Sequence, residues 1–329
     1  MKISKKWIGI LGILLVSAAL LVGGFGWKNH KENKVWSLIY IPKIVDGTND
    51  FWSSLISGTQ MAAKEYNVQL EIMAPTNEQD VERQNELLKE AIEKKPDALL
   101  VSPSSFTEST EILETAKKRG IPIVFVDSYT EEQPQTFTVA TDNLEAGRKL
   151  GEFAGGIVKE HTQIAIVGHV QGVSTAVERE QGFREGLGEK AENIVDVVFC
   201  DSSFEKAYKL TKDLMEQYPN LGLIAGLNEY SSVGAARAVK EAGAEEKIKV
   251  VGIDSSQEAI QMMEQGIFQG LVVQKAFKMG YMSVRETVRM LQGEKIEANI
   301  DSGCELVTPQ NMYTSEIEKL IFTFSTSKS

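Results

Sequence analysis

The sequence predicts an α/β protein of two doubly wound, Rossmann-like lobes built on parallel sheets. Three observations carry that prediction. Short runs rich in Val, Ile and Leu recur along the chain and are apolar at odd and even positions alike, as strands buried on both faces must be. Between them lie segments whose apolar residues return every three to four positions, the period of a helix packed on a sheet. This alternation runs from Val35 almost to the end of 329 residues, more than one hydrophobic core comfortably serves.

Taken in order, the strand runs are Val35–Ile41, Val68–Met73, Ala98–Val101, Ile121–Val126, Gln163–Val167, Ile194–Cys200, Leu221–Ala225, Lys249–Ile253 and Gly270–Val273. Helical periodicity fills Phe51–Tyr66, Glu78–Glu93, Ser109–Arg119, Leu144–Val158, Ala176–Leu187, Phe204–Tyr218 and Ser231–Ala242. Gly120, Gly243 and Pro219 stand where helices should end, and Pro96 and Pro122 flank strands. Strand, helix and strand in succession call for right-handed crossovers in a parallel sheet.

Residues 1–34 are expected to lie outside this fold. Lys2, Lys5 and Lys6 precede an uncharged apolar stretch from Trp7 to Trp27, long enough as a helix to cross a hydrocarbon core of about 30 Å. Ser17-Ala18-Ala19 offers a signal-peptide cleavage site, but cutting there leaves Leu20-Leu21-Val22 on the mature chain. Leu21-Val22-Gly23-Gly24 resembles a lipoprotein processing box, yet Phe25 stands where the acceptor cysteine is needed, so lipidation is excluded. Trp7 and Trp27 at the two ends favour a retained cell-membrane anchor with the large remainder on the extracytoplasmic face.

Composition narrows the function. With 46 acidic against 35 basic side chains the net charge is -11, which would repel nucleic acid. Two cysteines and three scattered histidines make no metal site, and no cofactor fingerprint is present. Cys200 ends an apolar run and reads as a small buried hydrophobe rather than half of a disulfide. Gly172-Val173-Ser174-Thr175-Ala176 resembles a nucleophile elbow, but it lies several residues past the strand ending at Val167, so Ser174 reads as a helix N-cap. Glu82, Glu86 and Glu93 sit at the spacing of a solvated helix face. No catalytic residue, metal or cofactor is expected.

Polar and aromatic residues instead gather just beyond strand ends, where open α/β sheets bind ligands. Asn49, Asp50, Phe51 and Trp52 follow the first strand; Asp127, Asp201 to Phe204, Asn228, Asp254 and Gln274 follow later ones; the loop beyond Val167 leads to Glu178-Arg179. Carboxylates, amides and guanidinium exchange paired hydrogen bonds with vicinal hydroxyls while aromatic faces cover C–H surface, so the set suits a sugar. Each residue also has a structural reading: Asp127 and Asp254 as caps or ion-pair partners, Arg179 paired with Glu178 or Glu180, Asn228 capping a helix, Phe51 or Trp52 in the core.

From Val35 to about Tyr313 the chain resembles the type I periplasmic binding proteins of the ribose-binding family. The likeness rests on Asn49-Asp50-Phe51-Trp52, Phe125-Val126-Asp127-Ser128, the segment Ser174 to Phe183, Asn228-Glu229, Val251-Gly252-Ile253-Asp254 and Gly270 to Gln274, in family order. The resemblance implies that Phe51 and Trp52 stack on a sugar ring and Phe204 covers it from the other lobe. It implies that Asn49, Asp127, Arg179, Asn228, Asp254 and Gln274 hydrogen-bond the hydroxyls. It departs from the family at Asp50, where proline is usual, at Ser128, where arginine commonly stands, and in a longer first loop bearing Lys43 and Asp46. The expected lobes are 35–139 with 276–302, and 140–275 with 303–329, joined by a hinge of three crossings and closing on a monosaccharide, a pentose such as xylose or ribose.

The expected partner follows from the anchor. Residues 28–34, fully extended, reach only about 25 Å, which suits a fixed membrane neighbour. A sugar sensor docking on a membrane sensor kinase is the first expectation and the capture subunit of an ABC sugar importer, meeting its permease, the second. A hydrolase acting through Ser174 is a third. A repressor is not expected, since an apolar stretch occupies the place of a helix-turn-helix.

Overall fold

The protein is described here from a computed structural model covering residues 34–322. The expected anchor, Trp7 to Trp27, lies outside the described residues. Among the described residues no helix is long and apolar enough to cross a membrane.

The first sheet holds β1 (Ser37–Ile41), β2 (Gln69–Ile72), β3 (Ala98–Val101), β4 (Ile123–Val126), β5 (Phe137–Ala140) and β11 (Asn299–Asp301) in the order β11-β5-β4-β3-β1-β2, all parallel. The second holds β6 (Gln163–Gly168), β7 (Ile194–Phe199), β8 (Leu221–Gly226), β9 (Lys249–Ile253), β10 (Phe268–Gln274) and β12 (Cys304–Val307) in the order β12-β10-β9-β8-β6-β7, with β12 alone antiparallel. The helices are α1 (Asp50–Glu65), α2 (Val81–Glu93), α3 (Thr110–Lys118), α4 (Asn143–Ile157), α5 (Ser174–Leu187), α6 (Phe204–Gln217), α7 (Glu229–Glu241), α8 (Gln257–Glu264), α9 (Ala276–Leu291) and α10 (Ser315–Ile321). The chain passes between the sheets after β5, after β10 and between β11 and β12. Two α/β lobes on parallel-dominated sheets is the predicted class.

Double-sided burial holds for the central strands, where every residue of β3 and β4 is buried, and fails at the edges. Strand β2 alternates exposed and half-buried residues, and β7 is half-buried throughout, because each has a neighbour on one side only. Strands β5, β11 and β12, absent from the apolar runs, are three or four residues long and carry Thr138, Asn299, Asp301 and Glu305. In β11, Asn-Ile-Asp, pairing with β5 rather than hydrophobicity makes the strand.

Both lobes contain helices in backbone contact. A Cβ on Gly280 of α9 would lie 1.9 Å from the carbonyl oxygen of Leu55 in α1, and one on Gly147 of α4 would lie 2.3 Å from that of Arg179 in α5. Only glycine permits that approach. The second contact brings the base of Arg179 against α4, which matters for the site. Cys200 and Cys304 are free and buried, and burial pushes the Cys200 thiol up to about 12.

Candidate functional site

Between the lobes lies a small cavity of about 20 Å³ lined by Lys43, Asn49, Phe51, Trp52, Glu78 and Asp127 from the first lobe and His169, Thr175, Arg179, Asn228, Tyr230, Asp254 and Gln274 from the second. All but Arg179, which stands in the second turn of α5, lie at the carboxyl ends of strands or in the loops and first turns that follow, because a parallel sheet turns all its strand-to-helix loops to one edge. That free volume is about what one ordered water molecule needs.

Asn49 caps α1, its Oδ1 accepting from the Trp52 amide at 2.9 Å, which presents Phe51 and Trp52 on the first turn. Their rings meet edge to face with centroids 5.1 Å apart, and both serve the core as well as the cavity wall. Trp52 Nε1 donates to Glu78 Oε1 at 2.5 Å, and Ser202 Oγ donates across the cleft to Glu78 Oε2 at 2.6 Å. Burial raises the Glu78 carboxyl above its usual range, and the nearby Lys43 charge offsets this in part.

Asp127 and Asp254 occupy equivalent places after β4 and β9, both with left-handed φ, 70° and 74°. Aspartate tolerates that region better than most residues, and strained backbone of this kind gathers at binding sites. Lys43 Nζ donates to Asp127 Oδ2 at 3.0 Å. Gln274 Nε2 donates to Asp254 Oδ1 at 2.7 Å, and burial raises the Asp254 carboxyl against the pull of Arg179.

Arg179 does not pair with Glu178 or Glu180 on the surface. It is buried, its Nε donating to Asn143 Oδ1 at 2.8 Å and an Nη to the Leu227 carbonyl at 2.9 Å, which fixes the guanidinium plane and leaves the other N–H groups unassigned. Asn228 fills both readings: Oδ1 caps α7 by accepting from the Ser231 amide, while the residue lines the cavity. His169 Nε2 shares a hydrogen bond with Thr175 Oγ1 at 2.8 Å, and burial, aided by the Arg179 and Lys43 charges, holds its pKa well below the ordinary value. His169 Nδ1 and Gln274 Oε1 are buried without a protein partner, two groups that ligand hydroxyls would satisfy.

Of the residues expected at the site, Asn49, Phe51, Trp52, Asp127, Arg179, Asn228, Asp254 and Gln274 line this one cavity. Phe204 is the correction. Its ring packs against Tyr230, centroids 4.7 Å apart, and beneath the Arg237 guanidinium at 5.0 Å, so Tyr230 forms the wall and Phe204 buttresses it from outside. Ser128 turns away, donating to the Pro103 carbonyl, and Asp46 accepts from the Tyr230 hydroxyl across the cleft. Ser174 is the first residue of α5 rather than its cap, and its Oγ accepts from the Tyr129 amide. Glu78, His169, Thr175 and Tyr230 were not expected as ligand residues, although each lies in a strand-end loop or helix start and the same rule reaches them.

A polar cavity, with planar hydrogen-bonding groups and an aromatic wall drawn from two Rossmann-like lobes, defines a two-lobed solute-binding protein. The sequence profile of the periplasmic binding protein domain matches residues 41–295. The chain belongs to that family, among the type I sugar-binding members. It is 23% identical over 260 residues to the ribose import binding protein of Haemophilus influenzae, covering 79% of this chain and 88% of that one. A solved structure of a sugar transporter from Clostridium phytofermentans is 41% identical with a TM-score of 0.79, covering 83% of this chain and 99% of its own. A carbohydrate transporter solute-binding protein from Agrobacterium radiobacter, solved with D-arabinose, is 28% identical with a TM-score of 0.83, covering 87% and 99%. The family's extracytoplasmic setting agrees with the expected side of the membrane.

Proposed function

We propose that the protein captures a monosaccharide between its lobes and delivers it to the permease of an ABC sugar importer, without making or breaking a bond. The observation that carries this reading is the lining of the cavity, to which both lobes contribute hydrogen-bonding groups and aromatic rings. The lobes, 35–139 with 276–302 and 140–275 with 303–329, move as bodies about the crossings, and the ligand shifts the population toward closure by its preference for the closed form. Asn49, Asp127, Arg179, Asn228, Asp254 and Gln274 serve the hydroxyls, with Lys43 and His169 beside them, and Phe51, Trp52 and Tyr230 enclose the ring. A pentose is the favoured ligand, in keeping with the ribose and D-arabinose named for two relatives. The importer replaces the kinase-docking sensor as the leading reading because the relatives are named for import and transport. The Trp7 to Trp27 stretch would anchor the receptor beside its permease.

The test is calorimetry of the full-length chain, in a sugar-free detergent, against D-ribose, D-xylose, D-arabinose, D-allose and D-fucose. Binding at micromolar or tighter affinity, abolished in Asp254→Ala, supports the site; silence across the panel refutes a monosaccharide. In cells lacking the protein, lost uptake of the bound sugar supports the importer. Preserved uptake with lost sugar-induced transcription would restore the sensor.

A further inference from the structure

Glu229 is the first residue of α7 in the second lobe, is 2% exposed, and does not line the cavity. Its carboxylate reaches across the cleft and accepts from the backbone N–H groups of Asp50 at 3.1 Å and Phe51 at 3.0 Å, the first two residues of α1. In return Asp50 Oδ2 accepts from the N–H of Gln257 at 3.0 Å, the first residue of α8 in the second lobe. These N–H groups have no partner within their own helices, and a carboxylate at a helix N-terminus is favoured by the helix dipole. Asn49 caps only the Trp52 amide, and Ser256 only that of Ala259, so neither helix meets these donors from its own cap. On the cavity side the Glu229 N–H donates to Asp254 Oδ2 at 3.2 Å. Glu229 thus stands directly behind wall residues of both lobes, Phe51 and Asp254.

We propose that Asp50 and Glu229 are positioning residues that hold the cleft closed by exchanging helix caps between the lobes. They keep Phe51 and Asp254 in register without touching the ligand, and set how slowly a captured ligand leaves. The proposal draws its purpose from the two-lobe capture reading, but its test uses no sugar, so failure of the sugar panel leaves the result interpretable.

The discriminating variant is Asp50→Pro. Proline is favoured at the first position of a helix, and Asn49, at φ -106° and ψ 118°, already has the extended backbone that a residue before proline requires. The variant therefore preserves α1 while deleting the N–H given to Glu229 and the carboxylate given to Gln257. Nitroxide labels at the exposed positions Lys89 and Glu216, one on each lobe, report lobe separation by pulsed electron resonance in the full-length chain in detergent. The wild type should show a populated short distance without added sugar. Asp50→Pro and Glu229→Ala should each raise the open-to-closed ratio by at least about tenfold, the loss expected for a hydrogen bond to a charged group. The thermal midpoint of Asp50→Pro should stay within a few degrees of wild type, which separates positioning from a general loss of fold. An unchanged distance distribution in Asp50→Pro, or a wild type with no short-distance population, would overturn the proposal. If Glu229→Ala does not fold, Asp50→Pro decides alone.

Discussion

Replacing Lys43 with methionine tests how strongly the cleft buries its charged groups. Lys43 Nζ lies 3.0 Å from Asp127 Oδ2, and the two side chains are 4% and 3% exposed. Exposed ion pairs contribute about 0–1 kcal/mol, whereas removing one partner of a buried pair costs about 3–5 kcal/mol because the other charge is left uncompensated. Both residues belong to the first lobe and line the cleft that the second lobe faces. Lys43→Met keeps an unbranched apolar stem and removes only the ammonium; it also takes away the charge that offsets burial of Glu78, a second effect of the same sign. The expected loss is therefore about 3–5 kcal/mol, a fall in thermal midpoint of roughly 6–20 °C for a chain of this size. Asp127→Asn is the proper partner mutation, since asparagine also tolerates the left-handed backbone at φ 70°. Urea unfolding of the sugar-free wild type, both single variants and the double variant, followed by tryptophan fluorescence, closes the cycle. A coupling energy of about 2 kcal/mol or more is expected between the two positions. A Lys43→Met loss below about 1 kcal/mol with no coupling would refute the reasoning, because the pair would then behave as a solvated one in an open cleft.

Two further predictions concern His169 and the aromatic wall. His169 is buried and neutral with its pKa held well below the ordinary value, so below about pH 6.5 the unfolded chain takes up a proton that the folded chain refuses. The stability advantage of wild type over His169→Asn should thus shrink on acidification from pH 6.5 by up to about 1.4 kcal/mol per pH unit, measured by urea unfolding at several pH values; a flat difference would show that His169 takes up its proton in the fold as readily as in the unfolded chain. Phe204→Leu, outside the cavity, should change sugar affinity less than about threefold, whereas Trp52→Ala should weaken it by about a hundredfold or more, the scale of losing a large buried aromatic contact. Calorimetry showing the reverse order would return Phe204 to the wall.

The strand-end residues show how far the sequence reaches. Asp127, Asp254 and Gln274 follow apolar runs whose burial is plain from composition, and a parallel sheet delivers all such loops to one edge, so their convergence follows once the strands are recognised. Arg179 was legible only as part of a motif. Its exposed alternative, pairing with a neighbouring glutamate, is excluded by the backbone contact at Gly147 that sets it beside Asn143, which no local pattern expresses. Phe204 went wrong for a related reason. It and Tyr230 are both aromatics at helix starts, and only the packing of α6 against α7, with Arg237 beyond, decides which ring faces the cavity.

Hydrophobic period and punctuation alone determined that this chain forms two buried parallel sheets with crossover helices, because burial on both faces and helical repeat are properties of neighbouring residues. Tertiary structure decided the rest. The Lys43–Asp127 pair joins loops 84 residues apart in sequence, and the Glu229 caps on α1 join segments of two lobes 178 and 179 apart. Hydrogen bonds and ion pairs act over about 3 Å, so their partners are settled only when the sheets have formed and the lobes have met.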